Sequence, residues 1–285
     1  MIKAKAYAKF NLNLHLLPKM INGFYPVRFL NCQLNLADEV IFKNQANQIE
    51  VICEHPKVPQ DKKNLIYKAA RLLKREVNRP KLGAKIILKK HVPVKAGLGG
   101  GSSDAAAALN FLPRLWNLTI PRSKLIPLAS SLGKDVVYSL IGGLAKISGT
   151  GERVAPLSIK MPQFPLVLVV PKETKPSTAW SYRHLEEKTL GKNLNKLSKC
   201  VKAISTQDIN LLTLSLHNDF EASIVKHYPI VAQIKTELKQ LGALRTLLCG
   251  SGLTVVGFFK SRSLALEAQK RLSNKYQLVI LTTTL

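Results

Sequence analysis

The sequence predicts an α+β fold in two domains. Segments that alternate at period two and segments with apolar residues at helical spacing both occur, so strands and helices share the chain. The two kinds do not alternate strictly, the pattern of an α+β arrangement. Pro156, Pro162 and Pro165 cluster near the middle and read as a linker, giving domains over residues 1–155 and 156–285.

The elements follow in order. Residues 3–17 set Ala4, Ala6 and Ala8 on one face and continue at period two through Phe10, Leu12, Leu14 and Leu16, a strand with one buried face. Asn22-Gly23 is a turn. Residues 27–36 and 49–52 read as strands. Residues 64–77 are an amphipathic helix through Leu65, Ala69, Leu72 and Leu73, with Asn64 as N-cap. Pro80 and Gly83 close it, and residues 85–90 form a strand with Ile86 and Leu88 inward. After a glycine-rich segment, residues 105–115 and 121–132 are helices, the second closed by Gly133. Beyond the prolines come a strand at 166–170, several helices between 177 and 241, a strand at 254–259, a helix at 263–274 and a strand at 278–282.

Composition narrows the function classes. Of 285 residues, 46% are hydrophobic and 21% charged, ordinary proportions for a folded chain with ample core. No window approaches the roughly 18 apolar residues of a membrane helix. The start, MIKAKAYAKF, has no apolar segment behind it, so a cytoplasmic protein without a membrane partner is expected. Cys32, Cys53, Cys200 and Cys249 form no C-x-x-C pair and are expected to be reduced and mostly buried. The six histidines are scattered, and none is expected to bind a metal. The net charge of +26 attracts anionic ligands such as nucleotides and phosphorylated metabolites. It is dispersed, with short pairs such as Lys89-Lys90, and aromatics are only 6%, so a basic RNA-binding protein is the weaker reading.

The segment PVKAGLGGGSSDAAAAL, residues 93–109, carries the chemistry. Pro93 ends the preceding strand, and Gly97, Gly99, Gly100 and Gly101 allow a tight turn and close backbone approach. Ser102 and Ser103 lead into an alanine-rich helix, whose N-terminal amides and positive dipole end suit a phosphate. No G-x-x-x-x-G-K-[ST] is present, so it is not a Walker A loop. Lys9 lies on a strand beside buried alanines and calls for an anionic partner.

This segment resembles the second motif of the GHMP kinases, P-x-x-x-G-L-G-S-S-A-A. The GLGGGSSDAA form is similar to the branch that phosphorylates a cytidine-diphosphate alcohol in isoprenoid precursor synthesis. Residues 8–14, AKFNLNL, resemble the first motif, and residues 133–138, GKDVVY, a third. Residues 249–255, CGSGLTV, resemble the C-terminal glycine motif. GTGE at 149–152, NDFE at 218–221 and KPSTAWSY at 175–182 resemble further family elements, seven matches in order. The resemblance implies a two-domain GHMP kinase-like fold, with a ribosomal-protein-like N-terminal domain and a ferredoxin-like α/β sandwich at the C-terminus. It implies transfer of phosphate from ATP, with Mg²⁺, to an alcohol, by a monomer or homodimer.

The same resemblance assigns residues. Pro93, Val94, Lys95, Ala96, Gly97, Leu98, Gly99, Gly100, Gly101, Ser102 and Ser103 wrap the ATP phosphates. Asp135 is the base for the acceptor hydroxyl, and Lys9 is catalytic beside it. Asn11, Phe24, Tyr25, Asp135, Thr178, Tyr182, Gly250, Ser251 and Gly252 contact the acceptor, with Phe24 and Tyr182 stacking on the base. The magnesium ligands stay unassigned. Three departures stand out: Tyr25 in place of a histidine, Lys95 in place of a small residue, and Val137 in place of a proline. The rival acceptors within the family are homoserine, mevalonate or a sugar, and a decayed kinase is opposed by intact Lys9, Asp135 and the glycine loop.

Overall fold

Two long strands, β1 (Ile2–Leu16) and β2 (Val27–Asn44), run through both halves of the architecture. The computed structural model describes residues 1–18 and 23–285. Asn22 of the expected turn lies outside the described residues, and Gly23 has φ 81°. One compact unit comprises Met1–Lys9, Leu36–Val94 and Gly99–Gly142; the other comprises Phe10–Asn35, Lys95–Leu98 and Gly143–Leu285.

In the first unit, β3 (Ile49–Ile52) and β4 (Ala84–Lys89) join the portions of β2 and β1 in the order β3-β4-β2-β1. β2 is antiparallel to β4, with Val40 opposite Leu88, and β3 is parallel to β4. Helices α1 (Leu65–Glu76), α2 (Gly100–Leu115), α3 (Arg122–Leu132) and α4 (Lys134–Ile141) complete it. The Asn64 side chain caps α1 by accepting from Ile66 N at 3.0 Å. Ile66, Ala69, Ala70 and Leu73 bury one face of α1, α2 packs beside it, and the alanines at 105–108 of α2 are all buried. Such small side chains let neighbouring elements approach α2 closely.

In the second unit, β8 (His217–Asn218) lies parallel to β1, with Asn13 opposite His217. β5 (Ala145–Ser148) pairs with β2, and β6 (Arg153–Pro156) with β5. A separate antiparallel sheet is formed by β7 (Pro165–Val170), β9 (Arg245–Leu248), β10 (Val255–Phe258) and β11 (Leu278–Thr283), in the order β11-β7-β10-β9. Helices α5 (Thr178–Arg183), α6 (Asn195–Ser205), α7 (Ile209–Ser215), α8 (Glu221–His227), α9 (Pro229–Gln240) and α10 (Arg262–Ser273) belong to this unit. Residues 166–169 of β7 are all buried, which explains their unbroken apolar run.

Four local expectations are revised. From Ala8 to Leu16 β1 is buried on both faces, not one; its inner polar residues, Asn11, Asn13 and His15, are covered as well as its apolar ones. β2 continues to Asn44, because Asp38 and its polar neighbours hid the strand pattern. α2 starts at Gly100, five residues before the alanine run that signals it. β5 and β6 are four-residue strands, and Pro156 lies in β6 and not in a linker. The four cysteines are free and buried, as expected. Among the described residues no helix is long and apolar enough to cross a membrane.

Candidate active site

Within the first unit, the site grows from the turn that starts α2. Gly99 caps the helix in the left-handed region, with φ 70°. A Cβ there would lie 2.8 Å from Lys9 Cγ, so the lysine stem runs directly under the turn. Lys9 Nζ reaches 3.6 Å from Asp135 Oδ2, with the lysine side chain 8% and the aspartate 46% exposed. Asp135 stands in the first turn of α4, which begins immediately after Gly133. The positive end of that helix therefore lies at the carboxylate. The structure thus brings together Lys9, Asp135 and the glycine turn, three residues or motifs far apart in sequence.

The first hydrogen bond of α2 runs from Ser103 N to Gly99 O at 2.9 Å. The amides of Gly100, Gly101 and Ser102 precede it and have no carbonyl one turn back within the helix, the arrangement that accepts an anion. Ser103 is different: its hydroxyl donates to Tyr7 O at 2.7 Å and is buried. It ties the helix start to β1.

Beneath the turn lies a buried charge cluster that the sequence reading did not single out. Lys90 bonds Asp38 and, at 2.8 Å, Asp104, and all three side chains are 4% exposed or less. Asp38 Oδ1 also accepts from His91 N at 2.6 Å and Val92 N at 2.8 Å. A Cβ on Gly100 would lie 3.2 Å from Lys90 Nζ, so the ammonium sits against the backbone of the glycine loop. Burial, and then the neighbouring Asp38 carboxylate, push Asp104 up to about 7 against the pull of Lys90. The signal was present in the sequence: Lys90 follows Ile86 and Leu88 on the inward face of an alternating strand.

Within the second unit, Lys95–Leu98 packs on the C-terminal glycine motif. Gly97 has φ 80°, and a Cβ there would lie 2.2 Å from Cys249 O; one on Gly252 would meet the Ala96 carbonyl carbon at 3.1 Å. The two glycine segments can pack this closely only without side chains. Gly97→Ala is accordingly expected to destabilise by at least about 1–3 kcal/mol, seen as a lower denaturant midpoint. Lys95 is exposed and holds φ 61°, a conformation rare outside glycine.

The NDFE element explains itself residue by residue. Asn218 Nδ2 donates to Leu248 O at 2.9 Å and Gly250 O at 2.7 Å, and Glu221 Oε2 accepts from Leu248 N at 2.9 Å. Asp219 Oδ2 accepts from Leu16 N at 2.6 Å. Asn and Glu brace the glycine motif, and Asp holds the end of β1. Ser181 Oγ adds a bond to Ser251 O at 3.1 Å. Glu152 closes the GTGE turn by accepting from Thr150 N and Oγ1 at 2.8 and 2.9 Å.

The aromatic residues group around Tyr182. Tyr25 stacks on Tyr182, with centroids 5.9 Å apart, and Phe220 meets Tyr182 edge-on at 5.0 Å. Tyr25 Oη donates to Glu187 Oε1 at 2.8 Å. Phe24 is 55% exposed, and Thr178 is exposed at the start of α5. Asn11 is buried and donates to Asn31 Oδ1 at 2.6 Å.

Comparison with known proteins follows these features. The family described as GHMP kinases N terminal domain matches residues 64–147, and GHMP kinases C terminal matches residues 200–278. A 4-diphosphocytidyl-2-C-methyl-D-erythritol kinase of Synechococcus sp. (strain JA-3-3Ab) is 38% identical, over 95% of this chain and 89% of its own. The enzyme of that name from Acetivibrio thermocellus is 35% identical, over 100% and 99%. A crystal structure of 4-(cytidine 5'-diphospho)-2C-methyl-D-erythritol kinase superposes with a TM-score of 0.86 at 28% identity, covering 99% of this chain and 98% of that one. A homoserine kinase from Cytophaga hutchinsonii shares the fold, with a TM-score of 0.76 at 17% identity, over 100% and 94%.

Proposed function

Since the chain belongs to the GHMP kinases and, among them, to the 4-diphosphocytidyl-2-C-methyl-D-erythritol kinase family, we propose that it transfers the γ-phosphoryl group of ATP to the 2-hydroxyl of that cytidine-diphosphate alcohol. This is a step toward isoprenoid precursors by the non-mevalonate route, and ATP as donor fits a cytoplasmic setting. The observation that carries the reading is the Lys9–Asp135 pair beneath the Gly99 turn.

Phosphoryl transfer passes through a loose transition state, so position and charge count for more than base strength. The amides at the start of α2, with residues 93–103 as a whole, hold the triphosphate. Lys90, held by Asp38 and Asp104 against the backbone of Gly100, supports the loop from below. Mg²⁺ bound with the nucleotide would neutralise charge on its phosphates. Asp135 accepts the hydrogen bond of the 2-hydroxyl and orients it. As that oxygen bonds to the γ-phosphorus and the bond to ADP breaks, the proton passes to the carboxylate. Lys9 offsets charge on the transferring group and fixes the carboxylate in place.

On the acceptor side, Asn11, Phe24, Tyr25, Thr178, Tyr182 and the 250–252 glycine motif recognise the cytidine diphosphate. Tyr25 supplies a hydroxyl where the family has imidazole, and Tyr182 a ring for the base. Tyr182→Ala is expected to raise KM for the acceptor by about two- to tenfold at little cost in kcat, the size of one aromatic stack. Steady-state kinetics on the purified variant decides this, and an unchanged KM removes Tyr182 from the pocket.

The test of the function is ATP turnover with the cytidine compound offered beside homoserine and mevalonate. Turnover with the cytidine compound alone supports the proposal. Turnover with another alcohol replaces the acceptor and keeps the kinase.

A further inference from the structure

The second unit holds a group of side chains that the kinase chemistry does not use. His15 is wholly buried on β1, and among the described residues neither of its ring nitrogens has a hydrogen-bond partner. A buried polar group left without a partner costs about 1–3 kcal/mol, so its retention calls for a reason. The parallel register sets Asn13 opposite His217, which places His15 and His217 on the same face of adjacent strands. Their rings stack with centroids 4.6 Å apart. His217 Nε2 lies 2.6 Å from Asp219 Oδ1, while Asp219 Oδ2 is already oriented by Leu16 N at 2.6 Å. Histidines scattered in the sequence are thus gathered by the fold.

We propose that His15, His217 and Asp219 form a site for a divalent transition-metal ion such as Zn²⁺ or Co²⁺, separate from the nucleotide's Mg²⁺. One potential ligand atom from each residue lies within 4.8 Å of the others. Four-coordinate Zn²⁺ bound at about 2.0–2.2 Å keeps its ligands about 3.3 Å apart, so the contraction required is at most about 1.5 Å. The ion takes the place of the proton now shared between His217 and Asp219. Two imidazoles and one carboxylate favour zinc, cobalt or nickel over Mg²⁺, which prefers oxygen ligands. Leu16 N supplies the outer bond that fixes the carboxylate. His217 also lines a cavity of about 390 Å³, whose wall it shares with Lys235 and Arg245.

The experiment uses tag-free, full-length protein stripped with chelator and titrated with Co²⁺ in millimolar Mg²⁺. The expected result is one Co²⁺ per chain, with the visible absorption bands of four-coordinate cobalt, displaced by Zn²⁺. Both His15→Phe and His217→Gln are expected to weaken binding by about 100-fold or more. Melting curves without metal report whether each variant folds. Should His15→Phe fail to fold, His217→Gln at the cavity wall decides. Absence of stoichiometric uptake by the wild type, displacement of the ion by Mg²⁺, or wild-type binding by His217→Gln overturns the proposal and leaves the paired rings as packing alone.

Discussion

Asp135→Asn is expected to lower kcat by about 10²- to 10⁴-fold, the usual loss when a positioned acid or base is removed. Its stability is expected to change little. The Asp135 side chain is 46% exposed, and an ion pair that open to solvent contributes about 0–1 kcal/mol. The substitution therefore separates chemistry from folding. Asparagine keeps the shape and an acceptor oxygen but cannot take the hydroxyl proton. A purified, folded Asp135→Asn enzyme working near the wild-type rate would sink the base assignment. Loss of activity with an unchanged melting temperature supports it.

The largest stability effect is expected at Asp38. It accepts from Lys90, His91 N and Val92 N at once, and its side chain is wholly buried. Asp38→Ala strips those donors and leaves Lys90 with Asp104 alone, a loss of about 3–5 kcal/mol. A denaturant midpoint close to wild type would show that the cluster is not structural. Asp104→Asn is expected to behave differently. The folded state holds Asp104 up to about 7, above its ordinary 3.8. Between those values the folded chain binds a proton that the unfolded chain has released. The contribution of Asp104 is thus full below about pH 4 and declines as pH rises through neutrality. Asparagine carries no such proton, so Asp104→Asn is expected to flatten the fall in stability between pH 5 and pH 7. Urea midpoints at several pH values measure the difference, and an unchanged slope counts against a raised Asp104.

Much of the site was legible in the residues. The glycine run and its helix, the lysine set among strand alanines and the aspartate of GKDVVY are local patterns, and local patterns survive in sequence. The pairing of Lys9 with Asp135 was legible only through the family resemblance, because it depends on strand and helix placement that no short window contains. The buried Asp38–Lys90–Asp104 cluster was missed for a related reason: charged residues read as surface unless their partners are known. Tyr25 stacking on Tyr182 and the meeting of His15 with His217 are likewise products of segments far apart in the chain. The misjudged boundaries, at the end of β2 and the start of α2, fall where polar or glycine residues interrupt a hydrophobic period.

The packing of Gly97 against Cys249 has a consequence for synthesis. Residues 93–103 leave the ribosome long before residues 249–252, against which Ala96 and Gly97 are moulded. A nascent or truncated chain can form α1, α2 and their strands from local contacts, yet it lacks the carbonyl wall against which Ala96 and Gly97 are packed. The geometry of the first half of the glycine loop thus awaits residues near the end of the chain.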